Sequence, residues 1–312
     1  MRPFMKPLTL TLLIVVAAGT LAARQAIPQA TGASVARDLR GAIDIHVHSY
    51  PDRVPRVLDG LEAARQAKEK GLRAIVLKSH YDPTAGLAFL ARKAVPGIEV
   101  FGGIDLNLPV GGMNVHAVEN MVQTNGGWGR MVWMSTFDAE NQVRSTKASR
   151  PFVRVSENGA LLPETKAVIA AIAKHGLVLA SGHVSAAEAL MMFEEGRRVG
   201  VRAMVATHGM STPTLLSVEQ AKRANALGVL VEFTGDTMQG PNARARVDRI
   251  AADIRSIGVE HAIVSSDLGK GGAEMPVEGF ATLLEALRQK GFTDRELDQL
   301  VKDNPARLLG LK

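Results

Sequence analysis

The stretch GAIDIHVHSY, residues 41–50, places His46 and His48 one residue apart at the end of an apolar run. Side chains alternate between the two faces of a β-strand, so these two imidazoles would leave the same face. Neutral imidazole nitrogens bind zinc and similar divalent cations at about 2 Å. The spacing therefore predicts that His46 and His48 bind one divalent metal ion, and zinc is the expected metal.

Polar side chains end other apolar runs in the same way, and five of the eight histidines lie at such ends. A metal ion with an open coordination position lowers the pKa of a bound water to about 7, and a neighbouring carboxylate can accept the proton. Asp267, in SSDLGKGG, is the expected base. The residues at the ends of these runs are His46, His48, Lys78, His80, Asp105, Ser135, Thr136, His183, His208, Glu232 and Asp267. Among these, Glu232 would need a partner if buried, and Lys78 or Arg202 is the expected one.

Eight short apolar or β-branched runs alternate with helix-periodic segments from Ala42 to Lys312. The intervening segments, such as PETKAVIAAIAKHG, repeat apolar residues at three and four and end in glycine. This alternation predicts a parallel sheet with crossover helices, in one α/β domain over residues 41–312. Eight units predict closure into a (β/α)8 TIM barrel, although an open doubly wound sheet has the same pattern. The runs are AIDIHVH, AIVLKSH, VFGGIDL, MVWMST, LVLASGH, AMVATHG, LVEFTG and AIVSSD.

Two long connections follow the third and fourth predicted strands. In a barrel, both would lie on the face that carries active sites. We therefore expect residues 107–127 and 138–162 to shape a pocket for a small-molecule substrate. His80, Asp105 and His116 are the predicted substrate-binding residues.

Composition and charge exclude several other classes of protein. Aromatic residues make up 4% of the 312 residues, and the net charge of +6 is spread among acidic residues. A nucleic-acid partner is therefore not expected. The chain has no cysteine, so it has no disulfide framework. A homo-oligomer is compatible with these features.

The N-terminal segment has the order of a secretory signal peptide. A short basic stretch, MRPFMK, precedes an apolar stretch that ends in small residues and is short for a membrane span. We predict a signal peptide at residues 1–23, a flexible lead-in at 24–40, and a periplasmic or secreted protein without stable membrane insertion after cleavage. An uncleaved membrane anchor is the alternative.

The sequence resembles the amidohydrolase superfamily of metal-dependent hydrolases from Gly41 to Lys312. The resemblance is carried by DIHVH, SGH, ATHG and SSD at the first, fifth, sixth and eighth strands, and by the closing KDNPARLLGL. It implies a barrel with His46, His48, His183 and His208 as metal ligands. It also implies that Asp267 is both a ligand and the general base, with one or two divalent ions bound.

The fourth strand departs from the two-metal members of that superfamily. Those members bridge their ions with a carbamylated lysine or a glutamate there, whereas this chain reads GRMVWMSTF. Either Lys78 bridges two ions from the second strand, or it is a cation that binds a substrate carboxylate or phosphate. A one-metal site would use His46, His48, His183 and Asp267, with His208 contacting the substrate.

The expected activity is hydrolysis of an amide, cyclic amide, lactone or ester bond of a small molecule. Asp267, His208 and Lys78 are the predicted catalytic residues. A one-metal decarboxylase on the same scaffold is the alternative, because such relatives lack the bridge on the fourth strand. A phosphoesterase and a non-catalytic metal- or ligand-binding barrel are further alternatives.

Overall fold

A computed structural model of the chain describes residues 39–235 and 241–312. The predicted signal peptide and residues 24–38 of the lead-in lie outside the described residues, so both stay predictions. Within the described ranges, no helix combines the length and the apolar character that crossing a membrane requires.

Eight parallel strands form one sheet in which each strand pairs with the next along the chain. The eight predicted runs are thereby confirmed as strands. The strands are β1 (Ile43–His48), β2 (Ala74–Lys78), β3 (Glu99–Asp105), β4 (Gly129–Trp133), β5 (Val178–Ala180), β6 (Ala203–Ala206), β7 (Val229–Thr234) and β8 (Ala262–Ser265).

The sheet closes nearly completely between its first and last strands. The Asp267 N–H donates to the His46 carbonyl, and the His48 N–H donates to the Leu268 carbonyl, both at 2.9 Å. These bonds join β1 to the segment that follows β8. The TIM barrel is therefore confirmed, and the open doubly wound sheet is excluded.

Helices cover the outside of the barrel between successive strands. Their ends carry the expected signals, such as the capping box of Ser185 and Glu188 and the left-handed glycines Gly176 and Gly200. The helices are α1 (Gly60–Glu69), α2 (Ala85–Ala94), α3 (Val115–Gln123), α4 (Glu140–Ser145), α5 (Pro163–His175), α6 (Ala186–Val199), α7 (Val218–Ala226), α8 (Ala243–Ile257), α9 (Pro276–Gln289), α10 (Asp294–Asp298) and α11 (Asn304–Leu309).

The core has two parts, and their arrangement explains where the polar residues lie. One apolar layer fills the space between the strands and the surrounding helices. A second cluster fills the lower part of the barrel interior with Ile43, Phe101 and Trp133, and Leu308 and Leu309 of α11 pack against it. Above this apolar filling, buried polar side chains of the described residues gather at the carboxyl ends of the strands.

Candidate metal centre

His46, His48 and Asp267 bring three possible ligand atoms together at the carboxyl ends of β1 and β8. Asp267 Oδ1 lies 3.1 Å from His46 Nε2 and 3.0 Å from His48 Nε2, and all three residues are buried. Ligand atoms bonded to one ion at about 2.0–2.1 Å lie about 2.8–3.4 Å apart in octahedral or tetrahedral geometry. The three residues therefore fit a divalent cation, and they form a possible metal site.

The orientation of His46 supports the same interpretation. Its Nδ1 lies 3.1 Å from Glu232 Oε1, so the ring donates its Nδ1 proton to that carboxylate. Its Nε2 is buried and has no aligned hydrogen bond among the described residues. A carboxylate on the far nitrogen of a histidine commonly fixes the tautomer in which the near nitrogen can bind a metal.

Glu232 has a different partner from the one expected from the sequence. Lys78 and Arg202 were the expected partners, but Glu232 contacts His46, accepts from the Ser265 hydroxyl, and accepts from the His208 N–H at 3.0 Å. Arg202 is exposed at the start of β6. The expectation was wrong because only β8 separates β7 from β1, so the Glu232 side chain reaches His46 on β1.

His183 and His208 lie in the same cavity but outside the three-residue cluster. Their Nε2 atoms are 3.2 Å apart, and their ring centroids are 5.0 Å apart. The His208 ring lies 6.2 Å from the His46 ring, measured between centroids. The structure thus brings together all four predicted histidine ligands, with His183 and His208 placed as a facing pair that a second ion could use.

The backbone is strained where it presents these side chains. His208 and Asp267 have φ values of 31° and 49°, in the left-handed region that side chains other than glycine rarely adopt. Gly182, just before His183, has a φ of 63°, and a Cβ there would lie 2.2 Å from the Met134 carbonyl oxygen. Strained positions of this kind cluster at functional sites, where the surrounding fold holds them.

The charges of Asp267 and His46 depend on each other. Burial alone would raise the pKa of Asp267, but His46 and Lys270 hold it well below its ordinary value. Burial alone would lower the pKa of His46, but the Asp267 and Glu232 carboxylates raise it to about 9. Without a metal, a proton on His46 therefore balances the charge of Asp267.

Three neighbouring buried histidines have pKa values shifted in the opposite direction from that of His46. Burial lowers the pKa of His48, His80 and His183 well below the ordinary value, and neighbouring cationic groups add to the effect. These imidazoles are therefore neutral at pH 7. A neutral ring has a free lone pair, which ligation requires.

Lys78, His80 and Asp105 form a second polar group beside the metal cluster. Asp105 Oδ2 lies 3.4 Å from Lys78 Nζ and 3.2 Å from His80 Nδ1. Lys78 and His80 line the cavity, whereas Asp105 lies fully buried behind them. His116 is exposed on α3 and does not line the cavity, so its predicted role in substrate binding has no support from its position.

The cavity above these residues has a volume of about 420 Å³. The predicted segment 138–162 contributes Gln142, Ser145 and Thr146 to its wall. None of residues 107–127, all of which the structure describes, lines it. They pack beside the barrel instead, with Val118 and Met121 of α3 buried in the core.

The segment between β6 and α7 also lines the cavity. It supplies Ser211, Thr212, Pro213 and Leu215, which the sequence analysis did not single out.

Asn107 is a further residue that the sequence analysis missed. Its Oδ1 accepts from the backbone N–H groups of Thr136 and Asp138 and from the Ser135 hydroxyl. These bonds join the ends of β3 and β4. Its position two residues after Asp105, at the end of an apolar run, is the only signal of this role in the sequence.

Several solved structures share this fold. An amidohydrolase from Pseudomonas aeruginosa is 15% identical, with 90% of this chain and 98% of that chain covered and a TM-score of 0.63. The organophosphorus hydrolase from Deinococcus radiodurans is 17% identical, with 88% and 94% covered and a TM-score of 0.60. The 2,6-dihydroxybenzoate decarboxylase from Rhizobium is 12% identical, with 87% and 99% covered and a TM-score of 0.51.

These similarities confirm the resemblance to the amidohydrolase superfamily at the level of the fold. No curated protein matches the chain. A family model described as a "family of unknown function (DUF6282)" matches residues 41–232, a range that includes the four predicted histidine ligands and Glu232. Because this match covers more than half of the chain, the protein belongs to the DUF6282 family.

Proposed function

We propose that the protein is a metal-dependent hydrolase that cleaves an amide, cyclic amide, lactone or ester bond of a small molecule. One observation carries the proposal: Asp267 Oδ1 lies 3.0–3.1 Å from Nε2 of both His46 and His48, and His46 and Asp267 line a cavity. The cavity volume of about 420 Å³ lies within the range of small-molecule sites, about 300–1,000 Å³.

The donor set favours zinc as the metal. Imidazole nitrogen and carboxylate oxygen are ordinary zinc ligands, and the described site contains no thiolate. A bound zinc ion would polarise a substrate carbonyl and lower the pKa of a water molecule to about 7. His46, His48 and Asp267 would hold one ion, and His183 with His208 could hold a second.

Residues of the chain would then transfer the proton and contact the substrate. Glu232 keeps the Nδ1 proton of His46 on the side away from the cavity. Asp267, kept ionised by its neighbours, would accept a proton and pass it to the leaving group. His208 and Lys78 line the cavity and would contact the substrate.

Metal analysis together with an Asp267→Asn variant tests this proposal. We expect purified protein to contain one or two zinc ions per chain and to hydrolyse a member of a panel of small amides, lactones and esters. The variant should lose about 10²- to 10⁴-fold in kcat, because it lacks the proton acceptor. Circular dichroism should show an unchanged fold.

Asp248→Asn is the matched control, since Asp248 is paired with Lys290 on the surface. It should keep full activity. A metal-free protein as purified, or a fully active Asp267→Asn variant, would contradict the proposal.

A decarboxylase is the second candidate. It is favoured by β4, which offers neither lysine nor glutamate to bridge two ions, and by Lys78, a cation in the cavity that could hold a carboxylate. Release of carbon dioxide from small carboxylic acids, without hydrolysis of the panel, would support this function in place of hydrolysis.

A further inference from the structure

The hydrogen bonds behind the cavity wall fix the orientation of Asn107. Its Oδ1 accepts from the backbone N–H of Thr136 at 2.9 Å and of Asp138 at 3.1 Å, and these two groups can only donate. The other end of the amide is therefore the NH₂ group. It donates to the Thr136 hydroxyl at 2.7 Å and to the His80 carbonyl at 2.6 Å.

The orientation of Asn107 determines which ring nitrogen of His80 carries the proton. Thr136 accepts from Asn107, and its single hydroxyl proton is directed to Asp105 Oδ2 at 2.9 Å. Thr136 Oγ1 has no second proton to donate to His80 Nδ1, which lies 2.9 Å away. Nδ1 must therefore carry a proton and donate it to Thr136 Oγ1. Asp105 Oδ2 accepts from the same nitrogen at 3.2 Å. His80 lines the cavity, and its other ring nitrogen, Nε2, is therefore a hydrogen-bond acceptor.

Lys78 provides a donor in the same wall, two residues earlier on β2. Its side chain is buried, and Nζ has no aligned hydrogen bond among the described residues. Asp105 at 3.4 Å and the Trp133 ring at 5.1 Å both stabilise the charged ammonium. A carbamate on Nζ would instead place a second negative group beside the Asp105 carboxylate. The Asp105 carboxylate therefore disfavours a carbamate on Lys78, and Nζ carries N–H donors for which the described residues offer no aligned acceptor.

We propose that Lys78 and His80 form a recognition wall for a small carboxylate whose adjacent atom carries an O–H or N–H group. Lys78 Nζ would donate to the carboxylate, and His80 Nε2 would accept from the neighbouring hydroxyl or amine. Phe137, stacked on the His80 ring at 3.9 Å and also lining the cavity, would contact the apolar part of the ligand. This inference names the substrate class and rests on the proposed function for the reaction, but the binding step can be measured separately.

Calorimetric titration with mandelate and phenylacetate tests the wall, because these acids differ only by the hydroxyl next to the carboxylate. Full-length protein should bind mandelate about tenfold more tightly, since one added hydrogen bond is worth about that factor. His80→Phe keeps a ring against Phe137 but removes Nε2, and it should bind both acids equally. Lys78→Met should weaken binding of both acids about tenfold or more. His116→Phe, which changes an exposed histidine outside the cavity, should behave like the wild type.

Two further measurements keep the test decisive if a variant fails to fold. Titrations in EDTA should preserve the preference for mandelate, because the recognition wall does not involve the metal. In histidine ¹⁵N spectra of the wild type, His80 should be the Nδ1–H tautomer, and its Nε2 signal should shift with mandelate and not with phenylacetate.

Equal binding of the two acids by the wild type would overturn the inference. So would a preference that disappears in EDTA, which would indicate chelation by the metal, or a His80 ring protonated on Nε2. None of these results bears on metal content or on the effect of Asp267→Asn, so failure of the recognition wall is distinguishable from failure of the hydrolase proposal.

Discussion

Asp267 Oδ1 is contacted by three nitrogen atoms of basic side chains. Nε2 of His46, Nε2 of His48 and Nζ of Lys270 all lie 3.0–3.1 Å from it. A divalent ion at this position would replace the proton on His46 and compete with Lys270 for the same oxygen. Metal binding at this site is therefore expected to release a proton and to free Lys270 from Asp267.

Glu232→Gln should weaken metal binding without removing a ligand. The amide cannot provide the negative charge that holds the Nδ1 proton of His46 and makes Nε2 a stronger ligand. Loss of such a partner typically costs about 10- to 100-fold in metal affinity. Competition with a fluorescent zinc chelator would measure this change.

Glu119→Gln is the control, because Glu119 pairs with Lys174 and His175 outside the cavity. It should leave zinc affinity unchanged. Equal zinc affinities for Glu232→Gln and the wild type would show that Glu232 does not act through His46.

At the scale of single elements, the ends of β5, β6 and β8 turn sharply to direct their last side chains into the cavity. The positive φ values of Gly182, His208 and Asp267 fall at these three ends. Regular strand geometry would continue each chain along the barrel wall, so the turn is what aims the ligand. The cost of these conformations is offset by the packing and closure of the barrel.

Gly182→Ala should be far more destabilising than Gly176→Ala, although the two glycines have φ values of 63° and 61°. Alanine in a left-handed conformation costs about 1–2 kcal/mol at either position. At Gly182 the new Cβ would also lie 2.2 Å from a backbone oxygen, whereas at Gly176 it meets nothing within 4 Å. Thermal unfolding of both variants measures the difference, and similar losses would contradict the structure.

Glu296 at the start of α10 should make stability depend on pH in the acid range. Its hydrogen bonds to Arg255 of α8 and to the Thr293 N–H lower its pKa from 4.5 to about 2. Because the folded-state pKa is the lower one, the contribution is present above about pH 4.5 and is lost as the pH falls towards 2.

Glu296→Gln keeps an acceptor for the Thr293 N–H and removes the charge. Urea unfolding should show a loss of about 1 kcal/mol at pH 7, a size typical of a surface ion pair. That loss should shrink as the pH falls below 4.5. A difference between variant and wild type that stays constant from pH 7 to pH 3.5 would contradict the prediction.

At the scale of the whole molecule, the possible metal site joins the first and last strands of the barrel. His46 and His48 lie on β1 and Asp267 follows β8, so a bound ion would tie together the two edges that backbone bonds close only in part. The site is therefore expected to stabilise the whole barrel as well as to serve chemistry.

Removal of the metal by a chelator should lower the unfolding temperature. A ligand present at 100 times its Kd stabilises the folded state by about 2.7 kcal/mol. In a domain of about 150–250 residues, each kcal/mol of stability shifts Tm by about 2–4 °C. We expect a fall of several degrees with EDTA and its reversal by zinc. A His46→Ala/His48→Ala double variant should show no response to either reagent, and an equal response would place the metal elsewhere.

The sequence by itself determined the eight strands and the set of residues at their carboxyl ends, whereas the closure of the sheet into a barrel, which distinguishes it from an open doubly wound sheet, was seen only in the structure. The strands and their end residues are local features: each strand is a short apolar run, and the cavity histidines lie at the end of such a run or within three residues after it. The spacing of two residues was enough to place His46 and His48 on one face of β1, because successive side chains of a strand point to opposite faces.

Only the tertiary structure decided which of these residues meet. Glu232 of β7 reaches His46 of β1 past the intervening β8, Asp105 lies behind Lys78 and His80, and α3 carries His116 away from the cavity. Such contacts depend on how the barrel closes and on the path of the loops, which bring together atoms that lie far apart in the chain. No periodicity along the sequence encodes those distances, and so the partners emerged only from the folded molecule.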